Sequence, residues 1–212
     1  MNDRHVVVGA LCGLALLAIA ATQARAEMVV WTAPATIRVQ PEDAPTGDKQ
    51  IAISAARNEW EPFQVIVTAR GEPLSRVTVE ATALVGRRTL IGSDNIHLFR
   101  QHYIQVTRPS ARCDTPAGWW PDALIPFVNP IQKPKRDPKD PPTPFGPAKY
   151  RAQPFDVEAG KNQPIWGEVY VPPEAPAGLY EASVTVRTRG AEATVAISLT
   201  VRDFVLPWPP SV

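Results

Sequence analysis

Trp119 and Trp120 stand side by side, with Asp122 two positions on and Tyr103 and Arg108 a short way before them. Indole faces stack on sugar rings, while carboxylates and guanidinium groups bond hydroxyls, so these residue types could hold a glycan. Adjacent exposed tryptophans are also costly apolar surface. The same group could therefore fill a core or cover a domain interface. All three readings stay open on the sequence, and Tyr103, Arg108, Trp119, Trp120 and Asp122 are the candidate binding residues.

His97, His102, Cys113 and Asp114 have the types for a metal site. In an unbroken strand, positions five apart project to opposite faces, so His97 and His102 cannot share an ion. Their spacing matches no zinc-ligand pattern. Cys113 and His102 have the types for thiolate chemistry, which needs a base beside the sulfur, but a lone cysteine is more often an inert buried residue. No metal, cofactor or catalytic residue is expected. The densest polar-aromatic stretch, Arg57-Asn58-Glu59-Trp60-Glu61-Pro62-Phe63-Gln64, lies between two strand signals and reads as a turn. Asn58 tolerates unusual backbone angles, Glu59 can bond local amides, and Gln64 begins a buried strand.

The elements that must position these groups are strands. Apolar alternation marks residues 36–40, 49–55, 62–69, 76–84, 96–106, 165–171, 179–188 and 191–203. The clearest are the last two: Tyr180, Ala182, Val184 and Val186 alternate with polar residues, as do Val195, Ile197, Leu199 and Val201. That period of two puts one face in the core and one in water, and Arg189-Gly190 between them supports a tight hairpin. No helical stripe of useful length is present. The predicted fold is all-β, a mostly antiparallel β-sandwich of about eight strands. The prolines, 24 in 212 residues, fall between the alternations, where short strands meet stiff loops. Residues 108–154 are expected to form one long irregular segment, with a solvated Pro-rich insertion at 129–154.

Residues 1–26 read as a signal peptide: Arg4 and His5, an uncharged run from Val6 to Ala21, then Ala24-Arg25-Ala26. The run is at the short edge of the roughly 17–25 residues that cross a bilayer, which leaves a retained anchor as the alternative. The domain is then 27–204, and a Pro-rich linker follows at 205–212. Beyond the leader acidic and basic residues balance to zero net charge, against nucleic acid, which demands a basic face. No polybasic stretch suits anionic lipid, and no membrane contact is expected after signal cleavage. Only Cys113 remains beyond the leader, so no internal disulfide can form.

Several strings resemble glycoside hydrolase family 123 and its bacterial secreted relatives of unknown function. They are Ala55-Ala56-Arg57-Asn58-Glu59-Trp60-Glu61-Pro62-Phe63-Gln64-Val65, Gly118-Trp119-Trp120-Pro121-Asp122-Ala123-Leu124-Ile125-Pro126, Asn162-Gln163-Pro164-Ile165-Trp166-Gly167-Glu168-Val169-Tyr170-Val171-Pro172 and Ala175-Pro176-Ala177-Gly178-Leu179-Tyr180, with Leu206-Pro207 closing the series. The resemblance implies an N-terminal β-sandwich followed by a (β/α)8 barrel. In the family, the barrel's adjacent Asp-Glu pair acts on hexosaminides with help from the substrate's acetamido group. No such pair can be carried over to this sequence. The resemblance implies a non-catalytic accessory domain, periplasmic or extracellular, whose partner is the C-terminal catalytic barrel or a glycan. A stand-alone exported carbohydrate-binding or adhesion module is the alternative, and a chaperone-like sandwich a third class.

Overall fold

A computed structural model describes residues 25–47, 49–111, 116–128 and 152–207. Most of the leader, Cys113, Asp114, most of the 129–154 insertion and the end of the linker lie outside the described residues. In chain order the strands are β1 (Glu27–Ala33), β2 (Gln50–Arg57), β3 (Glu59–Arg70), β4 (Leu74–Ala81), β5 (Leu84–Gly86), β6 (Leu90–Ile91), β7 (Ile96–Val106), β8 (Gly118–Pro126), β9 (Phe155–Val157), β10 (Asn162–Val171), β11 (Gly178–Thr188) and β12 (Ala191–Val205). One 3-10 turn, Ser93–Asn95, leads into β7.

The strands form two sheets, ordered β1-β3-β10-β7-β8 and β2-β12-β11-β4-β9, with β5 and β6 attached beside β11. Pairing is antiparallel except between β12 and β2. The all-β, mostly antiparallel sandwich is therefore as expected, with more strands than the eight predicted. Alternate residues of the two inner faces make the core: Phe63, Val65, Val67, Ile165 and Val169 on one side, Val79, Val184, Val186, Ile197 and Leu199 on the other. Gly167 sits opposite Phe63 in the register. A Cβ there would come within 2.1 Å of the Phe63 ring, so glycine is what lets that ring lie across β10.

β3 is buried on both faces from Phe63 to Ala69, because residues 34–47 cross the outer face of its sheet. Side chains hold that strap. Gln64 donates Nε2 to the carbonyls of Pro34 and Ile37, both at 2.8 Å. Asn162 donates Nδ2 to the carbonyls of Gln40 at 3.0 Å and Asp43 at 2.8 Å. Trp31 donates Nε1 to Thr68 Oγ1 at 2.8 Å, and Thr68 in turn donates to Asn162 Oδ1. The strand expected at 36–40 is absent for this reason. Its carbonyls bond glutamine and asparagine side chains instead of a neighbouring strand, with Val39 tucked under the strap and Ile37 exposed.

A second correction concerns the stretch after Arg108. Residues 118–126 are not loop but the edge strand β8, paired along β7. Its prolines misled the reading, and an edge is where a strand tolerates a missing N–H. The pairing slips between His102 and Tyr103, leaving Asp122 as the extra residue of a bulge.

The turn between β2 and β3 carries the chain from one sheet to the other. Asn58 takes φ of 62° there, a left-handed conformation that asparagine tolerates better than most residues. Its backbone N–H donates to Val171 O at 2.7 Å. Its side-chain amide donates to Leu206 O at 2.9 Å, and Tyr170 Oη donates to its Oδ1 at 2.8 Å. Leu206 N–H completes the clamp on Arg57 O at 2.9 Å. The linker expected from Val205 is thus tied to the sandwich through Leu206. Replacing Asn58→Gly keeps the backbone angle and removes two hydrogen bonds, and should cost about 1–2 kcal/mol of stability. Asn58→Ala should lose roughly 1–2 kcal/mol more, the left-handed penalty of a Cβ. Urea midpoints of the two variants check this; equal losses would contradict it.

Candidate functional site

The five candidate binding residues do not converge. Tyr103 and Trp119 lie near one another across the β7–β8 pair, opposite Pro121 and Gln105 respectively. Together with Pro41, Glu158, Lys161 and Gln163 they line a cleft of about 340 Å³. Trp119 is 50% exposed. Trp120 projects to the opposite face, as successive strand residues do, half-buried and donating Nε1 to Pro116 O at 3.0 Å. Asp122 is exposed on the bulge, and Arg108 is exposed beyond the end of β7.

The cleft offers an indole platform beside mixed charge. Lys161 pairs with Glu42, whose carboxyl is held below its ordinary value by that hydrogen bond and charge. Tyr103 donates its hydroxyl to Val39 O at 3.0 Å. Burial, with the charge of Asp43 adding, pushes its phenol well up, so it anchors the strap and does not exchange protons near neutrality. Glu158 is the exposed acceptor left at the rim. An aromatic face with a carboxylate and an ammonium nearby can stack and hydrogen-bond a polyhydroxylated ring. It has no means of breaking one.

The residues weighed for other chemistry separate too. His97 and His102 are both exposed, on opposite faces of β7 by alternation. Among the described residues no three His, Cys, Asp or Glu side chains approach as metal ligands do. Glu59 and Glu61 project to the same face of β3, yet Glu59 Oε2 is occupied by the N–H of Ala56 at 2.6 Å, the local bond expected of that turn. Burial first, and Glu59 second, raise the Glu61 carboxyl above its ordinary value. Neighbours along one strand are not carboxylates placed on either side of a glycosidic bond.

The sequence reading missed an aromatic patch on the outer face of the five-stranded sheet. Trp60 pairs with Tyr170 in the register. Their rings lie 5.0 Å apart, and the Trp60 ring is 4.8 Å from that of His97, which meets Phe99 edge-on at 6.5 Å. Trp60 is 45% exposed. The signal was there in part, as Trp166, Glu168 and Tyr170 share one face of their strand, but joining them to Trp60 needs the β3–β10 pairing.

The two tryptophans of β8 should respond differently to truncation. Trp119→Ala should shift stability by less than about 1 kcal/mol, as exposed substitutions do. Trp120→Ala should cost roughly 1–3 kcal/mol, short of a fully buried aromatic. Thermal melts read both; a loss of about 3–5 kcal/mol at Trp119 would mark it as core.

With this geometry in place, comparison with known proteins is informative. The model of the glycoside hydrolase 123 N-terminal domain matches residues 36–188. Among solved structures, a family 123 glycoside hydrolase from Clostridium perfringens, described for glycolipid glycan hydrolysis, superposes with a TM-score of 0.65 at 14% identity. The match takes in 85% of this chain and 28% of that one, so this chain spans little more than a quarter of that hydrolase. AvmM, the macrocyclisation catalyst of alchivemycin A biosynthesis, has a TM-score of 0.35 at 9% identity over 90% of this chain and 92% of its own, too low to carry an argument. No curated protein matched the sequence. The fold and the ordered motifs therefore have their family: this chain belongs to the glycoside hydrolase 123 N-terminal domains.

Proposed function

We propose that the chain is the non-catalytic N-terminal accessory domain of an exported glycoside hydrolase-like protein, packing against or presenting glycan to a catalytic (β/α)8 barrel. The observation that carries this reading is the family match across residues 36–188, which takes in most of both sheets. The clamped end of β12 supports it, because a domain that must hold a neighbour in fixed orientation gains from a rigid exit. Export rests on the apolar start and the small residues at Ala24 and Ala26. The resemblance supplies the substrate class, hexosaminides, and the barrel would supply the Asp-Glu pair.

A second reading, a stand-alone glycan-binding module, is favoured by the half-exposed Trp119 on its cleft with Lys161 and Glu158. Genomic sequence past Val212 separates the two: a continuing frame with a barrel sequence supports the accessory domain, a stop codon the binding module. The activity test is direct. The 212-residue chain, purified as it stands, should show no turnover of an aryl hexosaminide. Turnover abolished by replacing one of its acidic residues would overturn the proposal.

A further inference from the structure

The outer face of the five-stranded sheet is covered unevenly. The strap of residues 34–47 packs Val39 and Trp31 on Ile66, and its carbonyls reach Gln64. It stops there, leaving the Trp60 end open with its ring contacts to His97 and Tyr170. An indole nearly half in water, backed by two further rings, is the kind of surface that partners cover, since aromatic anchors dominate interface energetics.

The path of the chain says which partner. β12 ends on exposed apolar residues, Phe204, Val205 and Leu206, and Leu206 is fixed by Asn58. The same Asn58 side chain accepts from Tyr170 Oη, so the point of exit and the patch are joined through one amide. Six residues, Pro207 to Val212, follow Leu206 in the sequence. Fully extended they reach at most about 22 Å, so whatever follows starts beside this end of the sandwich. The Trp119 cleft lies elsewhere. From His97 to Gln105, the partner of Trp119, is eight residues along β7, roughly 26 Å at the rise of a strand.

We infer that the patch formed by Trp60, His97 and Tyr170, extended by Phe204 and Leu206, is the surface on which the catalytic domain of the full-length protein docks, and that the Trp119 cleft stays open to solvent. This rests on the accessory-domain reading. Glu168, the carboxylate nearest the rings in the register, is already occupied by Trp166 Nε1 at 2.9 Å. The docking face is therefore aromatic in character, with few charges to desolvate.

The test is site-specific photo-crosslinking in the full-length parent protein, with p-benzoylphenylalanine placed at position 60 in one variant and at position 119 in another. Both positions are surface-exposed and accept an aromatic replacement. The expected result is an intramolecular crosslink from position 60 to peptides C-terminal to Val212, and none from position 119. Crosslinks from position 60 that stay within residues 27–207, that join two copies, or that fail to form would each overturn the assignment. So would a crosslink to the catalytic domain from position 119 and not from 60. A reading frame that ends at Val212 would remove the accessory-domain reading itself, an outcome distinct from a misplaced surface. In the same full-length protein, Trp60→Glu should split a single calorimetric unfolding transition into two, while Trp119→Glu should leave it single.

Discussion

Four chain segments meet at one asparagine. Asn58 turns the chain from the seven-stranded sheet into the five-stranded one, and its backbone and side chain together bind Val171, Tyr170 and Leu206. The residue type follows from the demands placed on it. The positive φ disfavours any side chain that cannot sit in the left-handed region. Glycine would satisfy the angle but lacks the amide. Aspartate would satisfy the angle and accept from Tyr170, but it would turn an oxygen, not an N–H, toward the Leu206 carbonyl. The sheet crossover and the point where the chain leaves the sandwich are thus one structural feature.

The second organising device is amide chemistry on the outer face. Gln64, Gln101 and Asn162 are buried polar residues. Burial without partners would cost several kcal/mol. Gln101 donates Nε2 to Gln64 Oε1 at 2.7 Å, and Gln64 and Asn162 spend their N–H groups on strap carbonyls. The network therefore does for residues 34–47 what a strand ladder would otherwise do. It also divides the face, with a sealed middle and an open aromatic group at each end. Trp119 stands by its cleft at one end, and Trp60 stands beside the chain exit at the other.

What could be read from the sequence followed the strength of local signals. β7 was expected at 96–106 and lies there, and the alternating pair with its Arg189-Gly190 hairpin forms β11 and β12. Asn58 was identified as a turn residue from its type alone. The family resemblance, drawn from strings spread along the chain, agrees with the match over residues 36–188. The misreadings have a common physical source, which is that neighbours in space decide. Ile37 and Val39 alternate like a strand, but the backbone there bonds side chains. Pro121 and Pro126 read as loop, but an edge strand accommodates them. β1 and the short strands β6 and β9 were not anticipated. The candidate site was legible only as a list: Tyr103 and Trp119 do line one cleft, while Trp120, Asp122 and Arg108 were brought in by sequence proximity that the pleat and the bulge undo.

The account depends on the exit being held, not merely near the sandwich. Native-state hydrogen exchange of the Leu206 amide tests this most directly, because that N–H donates to Arg57 O and has no other role in the sheet. The account predicts slow exchange at Leu206, comparable to the Asn58 amide, with both released in the Asn58→Gly variant while the β3–β10 amides stay protected. Exchange of the wild-type Leu206 amide at the rate of an unstructured peptide would contradict it.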